Sequence, residues 1–258
     1  MKEISFIIVN YKSRNFLEKC ADSIGKKAKN FDFEIIIVNN DEKNLEIESE
    51  NIKNIKILEI NKNMGFGASC NRGADKAEGE ISCFLNPDAQ ILSGNLGEIL
   101  ESFKNNKEAG IIGPKVIEKN GDTQKWSAGK EMDLVEVLRS NLGFPRSRKI
   151  WESDEETEAD WATGAAMFIK KDLFTELGGF DENFFLYFED IDLCKRARER
   201  GKKVIYFPYF KVRHIGGASS ANRNNQKKEY YESQDYYFEK WFGRNKKNLV
   251  RFLRKFHF

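Results

Sequence analysis

The sequence predicts an α/β protein with a Rossmann-like, mostly parallel central sheet flanked by helices, followed by C-terminal helices. Residues 4–9 and 33–38 are mainly apolar runs, which are typical of strands buried on both faces of a parallel sheet, and residues 55–60 are predicted to be a third strand. Between the first two runs, apolar residues recur at helical spacing. A strand, a helix and two further strands are the beginning of a Rossmann-like sheet.

Local signals bound the elements of the first half. Ser13 can cap the first helix and Gly25 can end it. The polar segment 41–51 is predicted to be a short helix plus a loop. Residues 63–73 are predicted to open a helix that runs through Lys76.

One predicted strand, residues 111–117, is unusual, because Pro114 predicts an edge strand or a break between two short strands. Ser93 is the expected cap of the helix that precedes it. The acidic run at 152–160 is interpreted as a solvated loop. The remaining predicted elements are strands at 81–85, 160–170, 204–207 and 210–212, and helices at 96–103, 133–141, 172–177, 188–200, 226–242 and 245–256.

The composition excludes several classes of protein. Acidic and basic residues nearly balance over the 258 residues, at a net charge of +2, so no nucleic-acid partner is expected. The four cysteines are widely spaced, which favours reduced, buried thiols over a disulfide framework or a zinc site. No signal peptide precedes the first strand and no apolar run is long enough to cross a bilayer, so we expect a cytoplasmic protein.

The chemistry is expected to centre on residues 80–90, where a short buried strand ends in a polar turn that carries Asp88. In open α/β sheets, ligands bind outside the carboxyl ends of the strands. A carboxylate there, beside the rigid Pro87, is well placed to hold a metal ion. Taken alone, Asn86-Pro87-Asp88 is more often an Asx turn at the surface. The residues by themselves leave both interpretations open.

A second group of acids, Glu189 and Asp190, lies in the first turn of a predicted helix. Acids in this position commonly complement the helix dipole and cap free N–H groups. However, the preceding residues 183–188 are strongly aromatic and can desolvate a carboxylate, so that it stays basic enough to accept a proton. If one acid binds a metal and the other stays free as a base, the two together suit displacement at a carbon that carries a phosphate leaving group.

Eight motifs follow one another along the chain: IIVNY, IIIVNN, NMGFGASCNRG, FLNPD, GIIGPKV, DWATGAAMFIKK, GGFDENFFLYFEDIDLCKR and HIGGASS. Their joint occurrence resembles the large family 2 of inverting glycosyltransferases with the GT-A fold, and especially its bacterial rhamnosyltransferase-like members. The resemblance implies a GT-A domain at residues 1–220, with a nucleotide-binding half at about 1–118 and an acceptor-binding half at about 119–220. A basic helical segment at 221–258 follows it.

The resemblance also implies roles for individual residues. Asp88 takes the place of the metal ligand and His214 a position that completes the metal or diphosphate site, so Mg²⁺ or Mn²⁺ is the expected cofactor. Asp190 is the expected general base, with Glu189 as an acceptor contact. The residues expected to bind the substrates are Asn10, Tyr11, Asn39, Asp41, Asn63, Gly65, Asn71, Asn86, Trp161 and Gly164.

One position departs from the family pattern. Asn39 stands where the family usually has Asp, which accepts a hydrogen bond from the nucleotide base or the ribose. Because an amide can both accept and donate, donor binding can survive while nucleotide preference changes. Asp41, two residues later, is a possible substitute.

The implied activity is metal-dependent transfer of a sugar, with rhamnose the leading candidate, from a nucleotide-diphosphate donor to a saccharide or lipid-linked saccharide of bacterial surface polysaccharide. A UDP-sugar donor is the alternative within the same fold. A nucleotidyltransferase is disfavoured because no basic phosphate-activating loop follows the first strand. A non-catalytic nucleotide-sugar or glycan-binding protein is disfavoured because both Asp88 and Asp190 are present.

The basic tail at 246–258 has two interpretations. Leu249, Phe252, Leu253 and Phe256 share one helical face, and basic residues occupy most of the other. Such a helix is suited to the anionic inner face of the cell membrane. Alternatively, its apolar stripe packs on the domain or across a homodimer interface.

Overall fold

The computed structural model describes residues 2–47, 55–216 and 223–256, with the side chains of residues 223, 224 and 256 left out. Its strands are β1 (Ile4–Asn10), β2 (Phe33–Asn39), β3 (Ile55–Glu59), β4 (Ile81–Leu85), β5 (Ala89–Ser93), β6 (Ala109–Ile117), β7 (Ala128–Gly129), β8 (Thr157–Ala159), β9 (Trp161–Ala162), β10 (Ala166–Lys170) and β11 (Lys203–His214). Its helices are α1 (Arg14–Ala28), α2 (Phe66–Ala74), α3 (Leu96–Asn105), α4 (Leu134–Asn141), α5 (Arg148–Trp151), α6 (Lys171–Glu176), α7 (Glu189–Glu199), α8 (Arg223–Phe242) and α9 (Arg244–Leu253), followed by a 3-10 turn (Arg254–Phe256).

The main sheet has the order β3-β2-β1-β4-β10-β6-β11-β5, and β8 also pairs with β11. Strands β1 to β4 are parallel neighbours, as are β6 and β11. Strand β10 lies antiparallel between β4 and β6, and β5 and β8 are antiparallel to β11. Six strands therefore share one direction and three oppose it, which confirms the predicted mostly parallel α/β fold.

The core lies on both faces of this sheet. Along β1, Ile7 and Val9 pack on the face covered by α2, α6 and α7, whereas Phe6 and Ile8 pack on the face covered by α1 and α3. Burial on both faces explains why β1, β2 and β4 are continuous apolar runs rather than alternating ones. The prediction of buried central strands is confirmed.

Three predicted helix signals are wrong. Helix α1 runs past Gly25 to Ala28, and the hydroxyl of Ser13 donates to Asn10 Oδ1 instead of capping the helix. Helix α3 is capped by Asn95, whose side chain accepts from the N–H of Gly97, because Ser93 is occupied as the last residue of β5. Strand β5 itself was not predicted.

The prediction of an edge strand or break at Pro114 is also wrong, since β6 is continuous and lies between β10 and β11. Proline lacks an N–H, and β6 tolerates this because the ladders are interrupted nearby. Strand β10 pairs only with Ile111 and Ile112, and the register of β11 shifts just after the residue that faces Pro114. The interruption thus lies in β11, where the two predicted short strands form one bulged strand.

Of the other local predictions, some are confirmed and some are wrong. The acidic run is not entirely loop, because residues 157–159 form β8 and pair with β11. Residues 41–47 contain no helix, and 48–51 lie outside the described residues, as do residues 217–220 of the HIGGASS motif. All four cysteines are buried free thiols, as predicted. Within the described ranges, no helix is both long and apolar enough to cross a membrane.

Candidate functional site

Polar side chains gather where β1 and β2 end, and they line a cleft of about 550 Å³ that we call the β1–β2 cleft. The carboxyl ends of parallel strands meet at one edge of a sheet, which is where ligands bind in this class of fold. The predicted site residues that line the cleft are Tyr11, Asn39, Asp41 and Asn63.

Asn10, buried at the end of β1, organises this cleft from behind. Its amide donates to Asn39 Oδ1 at 2.7 Å and to Asp41 Oδ2 at 3.0 Å. The Asp41 carboxylate also accepts from the backbone N–H of Lys12 at 2.9 Å. The structure therefore brings Asn10, Asn39 and Asp41 together in one hydrogen-bonded group.

The amide of Asn39 is fully used within the protein. Besides accepting from Asn10, it donates to Glu59 Oε2 at 2.6 Å and to the carbonyl of Lys43 at 2.8 Å. An ionised aspartate at this position could not donate a hydrogen bond to Glu59, and the two carboxylates would repel each other. The Asn39–Glu59 contact is thus a physical reason for the departure from the family's usual Asp.

Gly65 holds the entrance to α2 in a conformation open mainly to glycine, with φ at +86°. Its N–H donates to Asn63 Oδ1 at 3.0 Å. A Cβ on Gly65 would lie 2.3 Å from the carbonyl oxygen of Phe185, so the aromatic loop before α7 packs directly on this turn. Asn71 does not line the β1–β2 cleft. Its amide donates to the carbonyl of Phe180 and accepts from the N–H of the same residue.

A second cavity of about 550 Å³, which we call the central cavity, lies beyond β4. It brings together most of the remaining predicted residues, which come from four separate segments of the chain: Asn86, Trp161, Gly164, Glu189, Asp190 and His214. Trp161 is nearly buried, and its indole N–H donates to the carbonyl of Lys130 at 3.0 Å, which fixes the ring in the cavity wall.

Asp88 lies just beneath this cavity and contacts His214. Its Oδ1 is 3.2 Å from His214 Nε2, and its Oδ2 accepts from the N–H of Gly216 at 2.9 Å. Burial raises the pKa of the Asp88 carboxyl, but the contacts with His214 and Gly216 outweigh it, so the pKa lies below its ordinary value. Asn86 joins the group with Nδ2 at 3.0 Å from His214 Nε2.

Asp88 and His214 fit a Mg²⁺ or Mn²⁺ ion by their chemistry. Carboxylate oxygen suits both ions, which commonly keep water and substrate phosphate among their ligands. Among the described residues no group of three or more His, Cys, Asp or Glu side chains could hold a metal.

Sequence reasoning missed Gln124, which lies outside every predicted strand and helix and carries no local signal. Its Oε1 is 2.8 Å from His214 Nδ1. This contact orients the imidazole ring so that Nε2 faces Asp88. Trp126 and Tyr230 also line the central cavity without having been predicted to do so. Their aromatic side chains were visible in the sequence, but only the fold places them here.

Asp190 lies at the start of α7 with both carboxylate oxygens hydrogen-bonded. Oδ2 accepts from the N–H of Gly164 and Oδ1 from its neighbour Ile191, each at 2.8 Å. Burial raises the pKa of Asp190, the backbone N–H groups lower it, and the net pKa is above the ordinary value. Partly exposed to the cavity, this carboxylate can accept a proton and is held in a fixed direction.

Glu189 is buried beside it, and its Oε2 has no hydrogen-bond partner among the described residues. Burial and the neighbouring Asp190 raise the pKa of Glu189 well above its ordinary value. The two preceding residues, Tyr187 and Phe188, both have positive φ, at 70° and 66°. Consecutive left-handed residues without glycine are strained, and such strain is often stored at functional sites. They turn the chain so that both acids begin α7 against the cavity.

The sheet order, the amides and acids at the carboxyl ends of β1, β2 and β4, and the acid-bearing start of α7 together define the GT-A class of glycosyltransferase fold. The sequence profile of Glycosyl transferase family 2 matches residues 5–176, more than half of the chain, and the chain belongs to this family.

Individual relatives are more distant. The chain is 26% identical to an N-acetylglucosaminyl-diphospho-decaprenol L-rhamnosyltransferase of Mycobacterium tuberculosis, over 62% of this chain and 59% of that protein. It is 26% identical to rhamnosyltransferase WbbL of Escherichia coli, over 69% of this chain and 63% of that protein. The chain therefore spans about three fifths of the length of these curated relatives.

Solved structures share the fold. The mannosyltransferase PcManGT from Pyrobaculum calidifontis, in complex with GDP-Man and Mn²⁺, superposes with a TM-score of 0.58 over 93% of this chain and 64% of that chain. The two are 14% identical, so this likeness speaks for the fold alone.

Proposed function

We propose that this chain is an inverting glycosyltransferase domain that transfers a hexose from a nucleotide-diphosphate donor to a hydroxyl of a bacterial surface glycan. One observation supports the proposal: the central cavity is lined both by Asn86 and His214, which contact each other, and by Gly164 and Asp190. A candidate metal site and a candidate base thus share one space. Residues 1–118 would bind the nucleotide and residues 119–220 the acceptor.

In this mechanism Asp190 removes the proton from the acceptor hydroxyl as that oxygen attacks the anomeric carbon. The C–O bond to the donor diphosphate breaks as the new glycosidic bond forms on the opposite face, so the anomeric centre inverts. Gly164 N–H orients the Asp190 carboxylate. When bound by Asp88 and His214, Mg²⁺ or Mn²⁺ would neutralise charge on the leaving diphosphate.

The β1–β2 cleft is the proposed place for the nucleoside. Asn10 and Asp41 would shape it, together with Tyr11, Asn39 and Asn63. Rhamnose on deoxythymidine diphosphate is our leading donor, since two relatives are named rhamnosyltransferases. UDP-sugars are the alternative. The mycobacterial relative is named for a lipid-linked acceptor, which supports a lipid-linked saccharide at the inner membrane face here.

Thermal unfolding with a panel of nucleoside diphosphates and nucleotide sugars, with and without Mn²⁺, tests this proposal. A ligand at a hundred times its dissociation constant adds about 2.7 kcal/mol to the free energy of unfolding. We expect a Mn²⁺-dependent rise in melting temperature with dTDP compounds that is lost in Asp88→Ala. The exposed Asp172→Ala, on α6, is the matched control and should keep the rise.

The outcomes separate the alternatives. A rise in melting temperature with UDP compounds instead of dTDP compounds would support the transferase function with a UDP-sugar as donor. A rise that Mn²⁺ does not affect removes the metal role of Asp88. No rise with any compound, in a protein that unfolds cooperatively, rejects a preformed nucleotide-sugar site.

A further inference from the structure

The surface around α4 and α9 exposes more large apolar side chains than folding requires. Among the described residues eleven large apolar side chains are exposed, and six of them lie on these two elements and the loop after α4. We call these six the apolar face: Val135, Leu138, Leu142, Phe144, Leu249 and Phe252. Apolar side chains gathered in this way on a soluble domain mark an interaction surface.

The loop after α4 presents two of these side chains in a fixed way. Leu142 is 72% exposed and Phe144 is 71% exposed. Gly143 lies between them with φ at +83°, where it ends the helix, and its N–H donates to the carbonyl of Ser140. The N–H of Phe144 donates to the carbonyl of Arg139, whose side chain returns a hydrogen bond to the carbonyl of Phe144. The two apolar side chains are therefore held outward by an ordered turn.

The same segments are basic. Residues 137–151 contain four basic and no acidic residues, and residues 244–255 contain six basic and no acidic residues. Several of these cations pair with acids of other elements, as Arg146 does with Asp133. Lys149, Lys246 and Lys255 are exposed and make no ion pair within the part of the chain that the structure describes. The apolar face is thus bordered by positive charge.

The two segments are neighbours, and both adjoin the central cavity. Helices α4 and α9 contact one another, and Val137 and Val250 are buried in the same core cluster. The inner side of α4 lines the cavity through Val137, Ser140 and Asn141, while Leu138 and Leu142 on the same short segment are exposed. A surface on which the apolar face rests would lie at the rim of the cavity that contains Asp190.

We propose that the apolar face docks on an anionic lipid bilayer, with the turn at Leu142 and Phe144 as the principal insertion point. Exposed leucine and phenylalanine bordered by unpaired lysine is the composition that binds the boundary between headgroups and acyl chains. This inference rests on the proposed function in one respect: it gives the face a role in bringing a lipid-linked acceptor to the cavity. The docking itself does not depend on transferase activity.

Sedimentation of the 258-residue chain with vesicles tests the docking. We expect binding to vesicles of phosphatidylglycerol and phosphatidylcholine, weaker binding at 0.5 M salt, and little binding to phosphatidylcholine alone. The double variant Leu142→Ser/Phe144→Ser should bind at least about tenfold more weakly, because each side chain loses apolar burial. Tyr209→Ser, which removes a 52% exposed aromatic side chain on β11, is the matched control and should bind normally.

Other results would overturn the docking. Wild-type protein that stays in the supernatant with anionic vesicles, or a double variant that binds as well as wild type, rejects it. If light scattering shows a wild-type dimer that the double variant breaks, the face is a contact between copies of this chain.

A second readout separates docking from the proposed function. With an active enzyme, the double variant should raise KM for a lipid-linked acceptor in vesicles and leave kcat for a water-soluble acceptor unchanged. If no donor supports transfer but vesicle binding follows the expected pattern, the proposed function fails and the docking stands.

Discussion

Two opposing effects set the pKa of the Asp190 carboxyl. Burial favours the protonated acid, while the N–H groups of Gly164 and Ile191 favour the carboxylate, and the result is a raised pKa. A carboxylate with a raised pKa is a stronger base than an ordinary aspartate and remains available to substrate near neutral pH.

Replacing Asp190 with Asn should lower kcat by about 10²–10⁴-fold, because the acceptor hydroxyl loses its proton acceptor. In the wild type, kcat should rise with pH through the raised pKa of Asp190, since only the ionised form is a base. The variant should lose this rising limb. Steady-state rates between acidic and neutral pH measure both effects, with the exposed Asp172→Asn as the control. A fall of less than tenfold would exclude Asp190 as the general base.

The Asn39–Glu59 contact predicts a coupled pair of substitutions. Asn39→Asp should lower the free energy of unfolding by roughly 1 kcal/mol or more, because two carboxylates then meet where the amide donated at 2.6 Å. Adding Glu59→Gln should restore most of the loss, since the glutamine can donate to the new aspartate. Urea unfolding of the four members of this cycle measures the coupling, and additive effects would contradict it.

Residue chemistry was the easier part to read from the sequence. Asp88, Asp190 and His214 stood out because a motif pattern carried them. Gln124 did not, since its position against His214 depends on a contact between residues 90 positions apart. Asn71 was expected to bind a substrate, but its amide donates to the carbonyl of Phe180 instead.

At the scale of elements, α7 and α8 are joined through a buried carboxylate. Asp192 is fully buried, pairs with Arg196 at 2.7 Å and with Lys240 at 2.6 Å, and accepts from the indole N–H of Trp241. Lys240 also pairs with Asp181 at 2.7 Å, next to the aromatic loop. This cluster holds α8, whose Tyr230 lines the central cavity, against the helix that carries the two acids.

Lys240→Met should lower the free energy of unfolding by roughly 1–3 kcal/mol, because Asp192 and Asp181 lose a charged donor while the methionine keeps most of the packing. The highly exposed Lys228→Met, on the same helix, should change it by less than about 0.5 kcal/mol. Equal effects of the two substitutions would mean that the cluster does not fasten α8.

The same variant has a predicted pH dependence. Burial raises the pKa of Asp181, but Lys240, Asn183 and Tyr236 outweigh it and hold the pKa at about 2. A depressed carboxyl pKa stabilises the fold above its ordinary value of 3.8 and loses that effect as the pH falls toward 2. The difference between wild type and Lys240→Met should therefore shrink as the pH falls below about 4.

At the scale of the whole molecule, the buried and partly unpaired Glu189 makes global stability depend on pH. Because its pKa is raised, the native state holds more protons than the unfolded chain between the ordinary value of 4.5 and the raised one. The free energy of unfolding then falls as the pH rises through this interval. Glu189→Gln should reduce that slope, leaving the part that comes from the raised pKa of Asp190, and unfold at equal or higher temperature at neutral pH. The exposed Glu199→Gln is the control, and an unchanged slope in Glu189→Gln would contradict the assignment.

The sequence by itself determined the positions of β1 to β4, the burial of β1, β2 and β4 on both faces, and the type of each acid at its motif. These features depend on local apolar runs and on motifs of adjacent residues. They can therefore be predicted without knowledge of the fold.

Only the tertiary structure decided which of these residues meet. It put Pro114 in an interior strand beside the bulge of β11, Gln124 against His214, and Asn86 and Asp190 on one cavity. It also left Leu142 and Phe144 exposed beside α9. Each outcome depends on contacts between residues far apart in sequence. Such contacts are set by how strands pair and helices pack, and no local pattern encodes them.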